Sequence, residues 1–321
     1  MMLAFATAAL AAAVLVALLL RHARIYSDRV ERLWPATGHF IEAGGARLHV
    51  LEAGPADGPR VLLIHGASAN LRELWGALAS TLVRDHRVIA YDRPGYGHSR
   101  RAKNGAEKLA QQARVAAEVL RASGDGPAIV VAHSLGAAVA LRLALDAPGL
   151  VAGLVLIAPA SHPYPGPNAW WARMAAAPLL GDCFCAAIIP WIGPIAGRSG
   201  IANNFAPSPV PAGYYQDAGV GLIFRPAAFQ ASARDVCATN AEFAAQAPSY
   251  PEIFAPAVIV TGDVDKVVSP KRHARALALD LPAAELVIAP SAGHMPHRLR
   301  ADLVFAAIAR VKAMASAHAQ G

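Results

Sequence analysis

Residues 128–140 read AIVVAHSLGAAVA, and this stretch decides the fold of the chain. The β-branched run at residues 129–131 is typical of a strand, and the Ala-rich residues 137–147 have the composition of a helix. The turn between them, residues 132–136, places Ser134 at its apex. A serine at the apex of a strand–turn–helix unit is the structural context of a nucleophile elbow.

The turn itself, AHSLG, is the G-x-S-x-G pattern with alanine in the first glycine position. Small residues are needed two positions before and after the serine, because the strand and helix backbones come close there and the serine is strained. Ala132 is the smallest alternative to glycine, so we interpret Ser134 as a candidate nucleophile. An ordinary strand–helix connection that contains a serine is the alternative that the pentapeptide leaves open.

The alternation of strand and helix continues on both sides of this stretch. A hairpin is predicted at residues 39–42 and 47–52, followed by strands at 61–64, 87–91, 129–131, 154–158, 257–261 and 286–289. Helices are predicted near residues 71–83, 105–122, 135–147, 270–280 and 298–314. This order predicts an α/β fold with a parallel sheet and helices on both faces.

The alternation is interrupted once, after Pro159. Residues 160–255 contain many prolines and bulky aromatic side chains and lack the strand–helix rhythm. We interpret this segment as a partly helical lid inserted over the sheet. The core then consists of residues 36–159 and 256–316.

The first twenty residues predict contact with a membrane. Residues 2–20 form an apolar run with Thr7 as its one polar residue, which is long enough to cross a hydrocarbon core of about 30 Å. We interpret residues 1–24 as a membrane anchor and residues 25–35 as a short connector. Four arginines follow the apolar run and place the body on the cytoplasmic side: Arg21, Arg24, Arg29 and Arg32. A cleaved signal peptide, with export of the body, is the alternative.

Composition excludes several classes of function. The 321 residues carry a formal charge of +7, but the basic residues are scattered and no nucleic-acid motif is present. Three cysteines, Cys183, Cys185 and Cys237, have no metal-ligand spacing and predict no disulfide framework. We therefore predict no nucleic-acid partner, no metal and no cofactor. The oligomeric state stays open.

An oxyanion hole is predicted from two backbone amides. Acyl transfer needs N–H donors aimed at the developing oxyanion. One comes from the residue after the nucleophile, Leu135, and the other from the loop after an earlier strand, where Ala67 stands. We assign His65 in that loop a structural role.

An acid and a base are predicted after two late strands. Asp265 lies deeper in its turn than Asp263 and is the preferred partner for a histidine, whereas Asp263 is expected to brace the turn. His294 follows Gly293 after the last strand, so the loop can present it to Ser134. His297 opens a charged helix and is expected at the surface. His133 is expected to pack within the elbow.

The chain order Ser134, Asp265, His294 is the arrangement found on α/β-hydrolase sheets, and further motifs make the chain resemble that family. LIHG at residues 63–66 resembles the oxyanion-strand motif, YDRPGYGHS at 91–99 the D-R-x-G-x-G-x-S loop, and AGH at 292–294 the catalytic-histidine loop. The resemblance spans about residues 40–311. It implies an eight-stranded, mostly parallel sheet with a lid after the sixth strand.

The expected activity is that of a carboxylesterase or lipase-like serine hydrolase acting on a hydrophobic ester. The family also contains C–C bond hydrolases, thioesterases, amidases and cofactor-free peroxidases that use the same triad, and the fold does not choose between them. A non-catalytic ligand-binding protein on this scaffold is the alternative from another class.

Overall fold

A computed structural model of the protein describes residues 2–102 and 105–318. Its sheet contains eight strands: β1 (His39–Ala43), β2 (Ala46–Ala53), β3 (Arg60–Ile64), β4 (Arg87–Tyr91), β5 (Ala128–His133), β6 (Val151–Ile157), β7 (Ala257–Gly262) and β8 (Ala284–Ala289). Their order in the sheet is β1-β2-β4-β3-β5-β6-β7-β8. β2 pairs antiparallel with β1 and β4, and every other pairing is parallel.

The helices follow in chain order. They are α1 (Met2–Leu33), α2 (Arg72–Leu74), α3 (Ser80–Leu82), α4 (Leu109–Ala122), α5 (Leu135–Asp146), α6 (Trp170–Ala176), α7 (Leu180–Ala187), α8 (Ile189–Phe205), α9 (Tyr214–Asp217), α10 (Pro226–Gln246), α11 (Ala274–Asp280), α12 (Pro296–Leu299) and α13 (Ala301–His318). A π-helical turn, Trp75–Ala79, joins α2 to α3.

The central strands are apolar on both faces because helices cover both faces. Every residue of β3 and β5 is buried. One apolar cluster joins the sheet to α4 and α5, and a second joins it to the helical segment around α2 and α3 and to α13. The predicted parallel sheet with helices on both sides is therefore confirmed.

The N-terminal helix differs from its prediction. The connector expected at residues 25–35 is wrong, because α1 continues as one helix to Leu33. Ala23 and Val30 of this half are buried, and the Tyr26 hydroxyl donates to the carbonyl oxygen of Gly221 at 3.1 Å. Positions 23, 26 and 30 lie on one helix face, and that face packs on the chain between β6 and β7. Met1 lies outside the described residues.

The segment between β6 and β7 is helical and has an apolar cluster of its own. Phe205, Tyr214 and Phe224 lie in this cluster, together with Met295 from the loop after β8. This segment, which we call the insertion, thus packs directly beside the predicted histidine loop.

Candidate active site

Ser134 occupies a strained turn between β5 and α5. Its φ of 52° and ψ of −122° lie in a region that non-glycine residues rarely adopt. The Ser134 N–H donates to the carbonyl oxygen of Ile157 at 2.9 Å, and the Ser134 carbonyl oxygen accepts from the Ala160 N–H at 3.2 Å. The end of β6 therefore holds the backbone of this serine in a conformation that costs free energy.

The residues around Ser134 explain why the turn needs small side chains. A Cβ atom on Gly136 would stand 2.4 Å from the carbonyl oxygen of Ile64 and 2.6 Å from that of His65. Ala132, where the usual pattern has glycine, is fully buried and its methyl group fits. Alanine is therefore tolerated on the strand side of the turn, at position 132, whereas the helix side requires glycine at position 136.

The acid and base candidates meet at the ends of two neighbouring strands. His294 Nδ1 donates to Asp265 Oδ2 at 2.7 Å, and both side chains are almost completely buried. The other carboxylate oxygen of Asp265 accepts from the amides of Val267 and Val268 at 2.8 and 3.0 Å. Asp263 is exposed. The structure therefore places Asp265, not Asp263, against the imidazole.

The histidine loop contacts the elbow through His133. His133 Nε2 donates to the carbonyl oxygen of His294 at 3.0 Å, and the two rings lie 4.8 Å apart between centroids. Within the described ranges the Ser134 hydroxyl and the His294 ring are not hydrogen-bonded to each other. Burial holds the pKa of His133 well below its usual value, so this ring stays neutral and packs in the elbow.

The insertion fixes the same loop from the other side. The His294 N–H donates to the carbonyl oxygen of Asn204 at 2.8 Å. A Cβ atom on Gly293 would stand 2.3 Å from the carbonyl oxygen of Ala206, so glycine allows this close approach. The position of His294 thus depends on the end of α8, which sequence reasoning did not detect.

The loop after β3 contains an amide without a hydrogen-bond partner among the described residues. The Gly66 carbonyl oxygen accepts from Arg93 Nη2 at 3.0 Å and from His65 Nδ1 at 2.8 Å. Because the peptide is trans, the N–H of Ala67 points away from that carbonyl. In the described part of the chain, the N–H groups of Ala67 and Leu135 donate no hydrogen bond. Both are available to an incoming acceptor.

His65 has a structural position, as the sequence indicated. Its Nε2 accepts from the Arg93 N–H at 3.0 Å while its Nδ1 donates to Gly66. Burial, reinforced by the Arg93 charge, lowers the pKa of His65 to about 3. Both nitrogens are already used, so the ring shapes the loop and cannot take up a proton near neutrality.

His297 is not at the surface, and that expectation is wrong. The side chain is fully buried, and its Nε2 donates to Glu73 Oε1 at 3.0 Å. Glu73 also accepts from Arg298 at 2.9 Å and from the Tyr214 hydroxyl at 2.5 Å. Burial opposes ionisation of Glu73, but the hydrogen bonds and charges of His297, Arg298 and Tyr214 lower its pKa to about 2. Glu73 therefore ties the insertion to the histidine loop.

A second Ser–His–Asp chain lies after β6. Ser161 Oγ lies 2.9 Å from His162 Nδ1, and His162 Nε2 donates to Asp280 Oδ2 at 2.9 Å. Ser161 is completely buried, and its backbone oxygen accepts from the Tyr250 hydroxyl at 2.7 Å. No substrate reaches this hydroxyl, so the chain is structural and provides a matched control for Ser134.

Across the described ranges, no three His, Cys, Asp or Glu side chains are grouped as ligands of an ion. The groups that meet at this edge of the sheet are a hydroxyl, an imidazole–carboxylate pair and two free amides. These are the components of acyl transfer through a serine.

Comparison with known proteins places the chain among hydrolases. A model described as "Alpha/beta hydrolase family" matches residues 61–307. The putative carbamate hydrolase RutD of Variovorax paradoxus is 39% identical over 138 residues, which are 42% of this chain and 50% of that protein. The magnesium-chelatase 30 kDa subunit of Rhodobacter capsulatus is 30% identical over 256 residues, 79% of this chain and 86% of that protein. The chain thus spans half the length of the first of these relatives and most of the length of the second.

A solved structure shares the fold over nearly the whole chain. It is a membrane phospholipase A described as a bacterial virulence factor, with 24% identity, a TM-score of 0.61 and 97% of each chain covered. The names of these relatives differ in substrate.

Proposed function

This chain belongs to the alpha/beta hydrolase family, and from that premise we propose that it is a serine hydrolase of ester-type, hydrophobic substrates. His294 takes the proton of Ser134, and the Ser134 oxygen attacks the substrate carbonyl. Asp265 holds the imidazole in place and stabilises its protonated form. The amides of Ala67 and Leu135 donate to the oxyanion. His294 returns the proton to the leaving alcohol, and water then releases the acyl group.

One observation carries this proposal: the strained elbow serine and the 2.7 Å His294–Asp265 pair lie at the same edge of the sheet. Their connection runs through His133, which adjoins Ser134 and contacts His294. Catalytic hydrogen bonds commonly tighten only in the substrate complex, so we expect the Ser134–His294 bond to form there.

The insertion supports a hydrophobic substrate. Its apolar cluster contains Phe205 and Tyr214 and reaches Met295, the neighbour of His294. An acyl chain entering beside His294 therefore meets apolar and aromatic side chains. We assign residues 160–255 the role of a lid over the site.

Membrane anchoring through α1 completes the proposal. Phe5–Leu33 contains an 18-residue window with a mean hydropathy of 1.9, long and apolar enough to cross a membrane, and none of that window is buried in the rest of the protein. The insertion adds exposed apolar side chains close to this helix: Leu179, Leu180, Trp191, Ile192 and Ile195. The His22 ring of α1 stacks on Trp191 at 3.7 Å between centroids, so this apolar face lies beside the helix. We place the body on the cytoplasmic side, because Arg21 and Arg24 follow the apolar run.

A panel of p-nitrophenyl esters of graded chain length, with amide and thioester analogues, tests the proposal. We expect hydrolysis of the longer esters in preference to the amides, and a loss of at least ~10³-fold in kcat for Ser134→Ala. Ser161→Ala, which removes the buried serine that bonds to His162, should retain activity. Equal activity of wild type and Ser134→Ala would refute the proposed nucleophile.

A further inference from the structure

A cavity of about 900 Å³ lies beside α1, apart from the candidate active site. Its walls come from the C-terminal half of α1, the loop at residues 95–101 and the first turn of α10. None of Ser134, Asp265 and His294 lines it. The cavity therefore does not serve the chemistry proposed above.

Arginine dominates the wall of this cavity. Five arginines from four segments of the chain line it, against one carboxylate, Glu31: Arg24, Arg47, Arg100, Arg101 and Arg225. Like charges gathered around one space repel each other, so such an arrangement is unfavourable unless anions neutralise it. The excess of positive charge points to an anionic ligand.

Two of the five arginines are neutralised by the protein. Arg101 donates to Asp235 at 2.7 Å and lies 3.5 Å from Glu107. Arg225 forms an ion pair with Glu31. These two guanidinium groups belong to the packing between the insertion, α1 and the core.

The other three have no carboxylate partner among the residues that the structure describes. Arg24 is exposed on α1, and the Arg47 guanidinium lies over the Phe40 ring at 3.8 Å. The Arg100 N–H donates to the carbonyl oxygen of Arg47 at 2.8 Å, which keeps these two residues side by side. The cavity wall thus carries three exposed arginines whose guanidinium groups have no carboxylate partner in the described structure.

We propose that this cavity binds a phosphate monoester or diester group. The planar guanidinium presents paired N–H donors that match phosphate oxygens, and charge-assisted bonds of this kind are about twice as strong as neutral ones. The first turn of α10 contributes a favourable dipole, since Ala227 and Ala228 lie on the wall. This inference goes beyond the proposed hydrolase activity and does not depend on it.

The level of the cavity along α1 suits a phospholipid headgroup. The apolar residues 2–20 span about 28 Å as a helix, close to the thickness of a hydrocarbon core. Leu20, the last residue of this run, lines the cavity, and so do Ala23 and Arg24 directly after it. A phosphate in the membrane surface and a free phosphate in solution are thus both able to reach the guanidinium groups.

Titration of the full chain in neutral detergent tests the proposal. One arm uses dihexanoyl phosphatidylglycerol, the other inorganic phosphate, and binding is followed by calorimetry at low and high salt. We expect saturable binding that weakens with salt and falls by about tenfold or more in Arg47→Gln/Arg100→Gln. Binding of the lipid alone identifies a headgroup site, and binding of both identifies a general phosphate site.

A matched control removes the same charge elsewhere. Arg272 and Arg275 are exposed, so Arg272→Gln/Arg275→Gln should bind both probes as the wild type does. Arg24→Gln, at an exposed position of α1, provides a second test if the double variant does not fold. Equal affinity in the cavity and control variants, or no saturable binding to either probe, would overturn the proposal.

Discussion

The carboxylate of Asp265 uses its two oxygens differently. One accepts from two backbone amides of its own turn, and the other accepts from His294. The backbone of the turn therefore holds the carboxylate in place, and the carboxylate in turn orients the imidazole. Depth in the turn was the signal that favoured Asp265 over Asp263 from the sequence, and the hydrogen bonds agree with it.

Replacement of each aspartate by asparagine, in separate variants, tests this assignment. Asp265→Asn should lower kcat by roughly 10²–10⁴-fold, because the amide no longer stabilises the protonated imidazole. Asp263→Asn, the same change at an exposed position two residues away, should lower it less than about threefold. Ester kinetics of both variants provide the measurement. A larger loss for Asp263→Asn would reverse the assignment.

His65 predicts a specific pH dependence of stability. Its pKa is about 3 in the folded protein and near 6.5 in the unfolded chain, so below pH 6.5 only the unfolded state takes up this proton. The resulting contribution to the free energy of unfolding is complete above pH 6.5. It falls by about 1.4 kcal/mol per pH unit between there and pH 3.

Replacement of His65 should remove this slope. In His65→Gln, the slope of the unfolding free energy against pH should be shallower than in wild type between pH 6 and pH 4. The expected difference is about 1.4 kcal/mol per pH unit, which corresponds to about one proton, and urea unfolding at several pH values measures it. His273→Gln offers a second test, since burial and the His162 charge lower the pKa of His273 to about 4. Identical pH slopes in both variants and wild type would contradict the buried, neutral state of these rings.

Contacts between residues that are far apart in the sequence could not be predicted from it. His297 was expected at the surface because Arg298 and Arg300 follow it, yet it binds Glu73, which lies 224 positions earlier. Neither residue alone indicates this pair. The partly buried chain from Ser161 through His162 to Asp280 was missed for the same reason.

The β5–α5 unit shows how closely two elements approach at the elbow. Gly136, the second residue of α5, lies directly over the backbone at the end of β3, and its missing Cβ makes that contact possible. Ala132, in β5 on the other side of the turn, carries a buried methyl group. The strand–turn–helix unit was predictable because its composition changes abruptly, from β-branched residues to alanine.

Substitution of this glycine should therefore be severe. Gly136→Ala should lower the free energy of unfolding by more than about 3 kcal/mol or prevent folding, because the new methyl group collides with two carbonyl oxygens. Gly149→Ala has open space around it and should change stability by less than about 1 kcal/mol. Thermal unfolding compares them, and similar melting temperatures would contradict this account of the elbow.

The sequence predicted the first part of helix α1 but not its continuation to Leu33, for a physical reason. Its apolar first part was evident from composition, but charged residues and Pro35 suggested that the rest was a connector. The buried positions Ala23 and Val30, with Tyr26 between them, have helical spacing. That spacing was present in the sequence, but the surface it packs on belongs to the insertion, more than 150 positions later.

At the scale of the whole molecule, the exposed apolar surfaces lie together. The first part of α1 and the exposed side of α7 and α8 are adjacent through His22 and Trp191. Neither surface has a partner within the described structure, and a bilayer would cover both.

Deletion of residues 2–20 should distinguish the contribution of α1 to membrane binding from that of α7 and α8. The side chains of Leu10, Leu15 and Leu18 are exposed, so the deletion removes no core contact. The full chain should remain in carbonate-washed membranes, whereas the deleted chain should be released by carbonate yet still bind vesicles. Complete loss of vesicle binding would contradict a membrane role for α7 and α8.

A single charge should then weaken the remaining binding. In the deleted chain, Ile195→Glu should reduce vesicle affinity roughly tenfold or more, since burial of an isoleucine contributes about 1.5–3 kcal/mol. Leu279→Glu, at an 89% exposed leucine on α11, should leave the affinity unchanged. Sedimentation with vesicles measures the affinity of the two variants. An equal loss of affinity in Ile195→Glu and Leu279→Glu would contradict a specific role for the α7–α8 face.

The most direct test of the proposed chemistry is covalent labelling of the folded protein with a fluorophosphonate, followed by mass spectrometry of its peptides. We predict one adduct, on the Ser134 oxygen, that forms in wild type and Ser161→Ala and is reduced by at least ~10³-fold in rate in His294→Ala. A folded wild-type protein that remains unlabelled, or an adduct on a serine other than Ser134, would contradict the account.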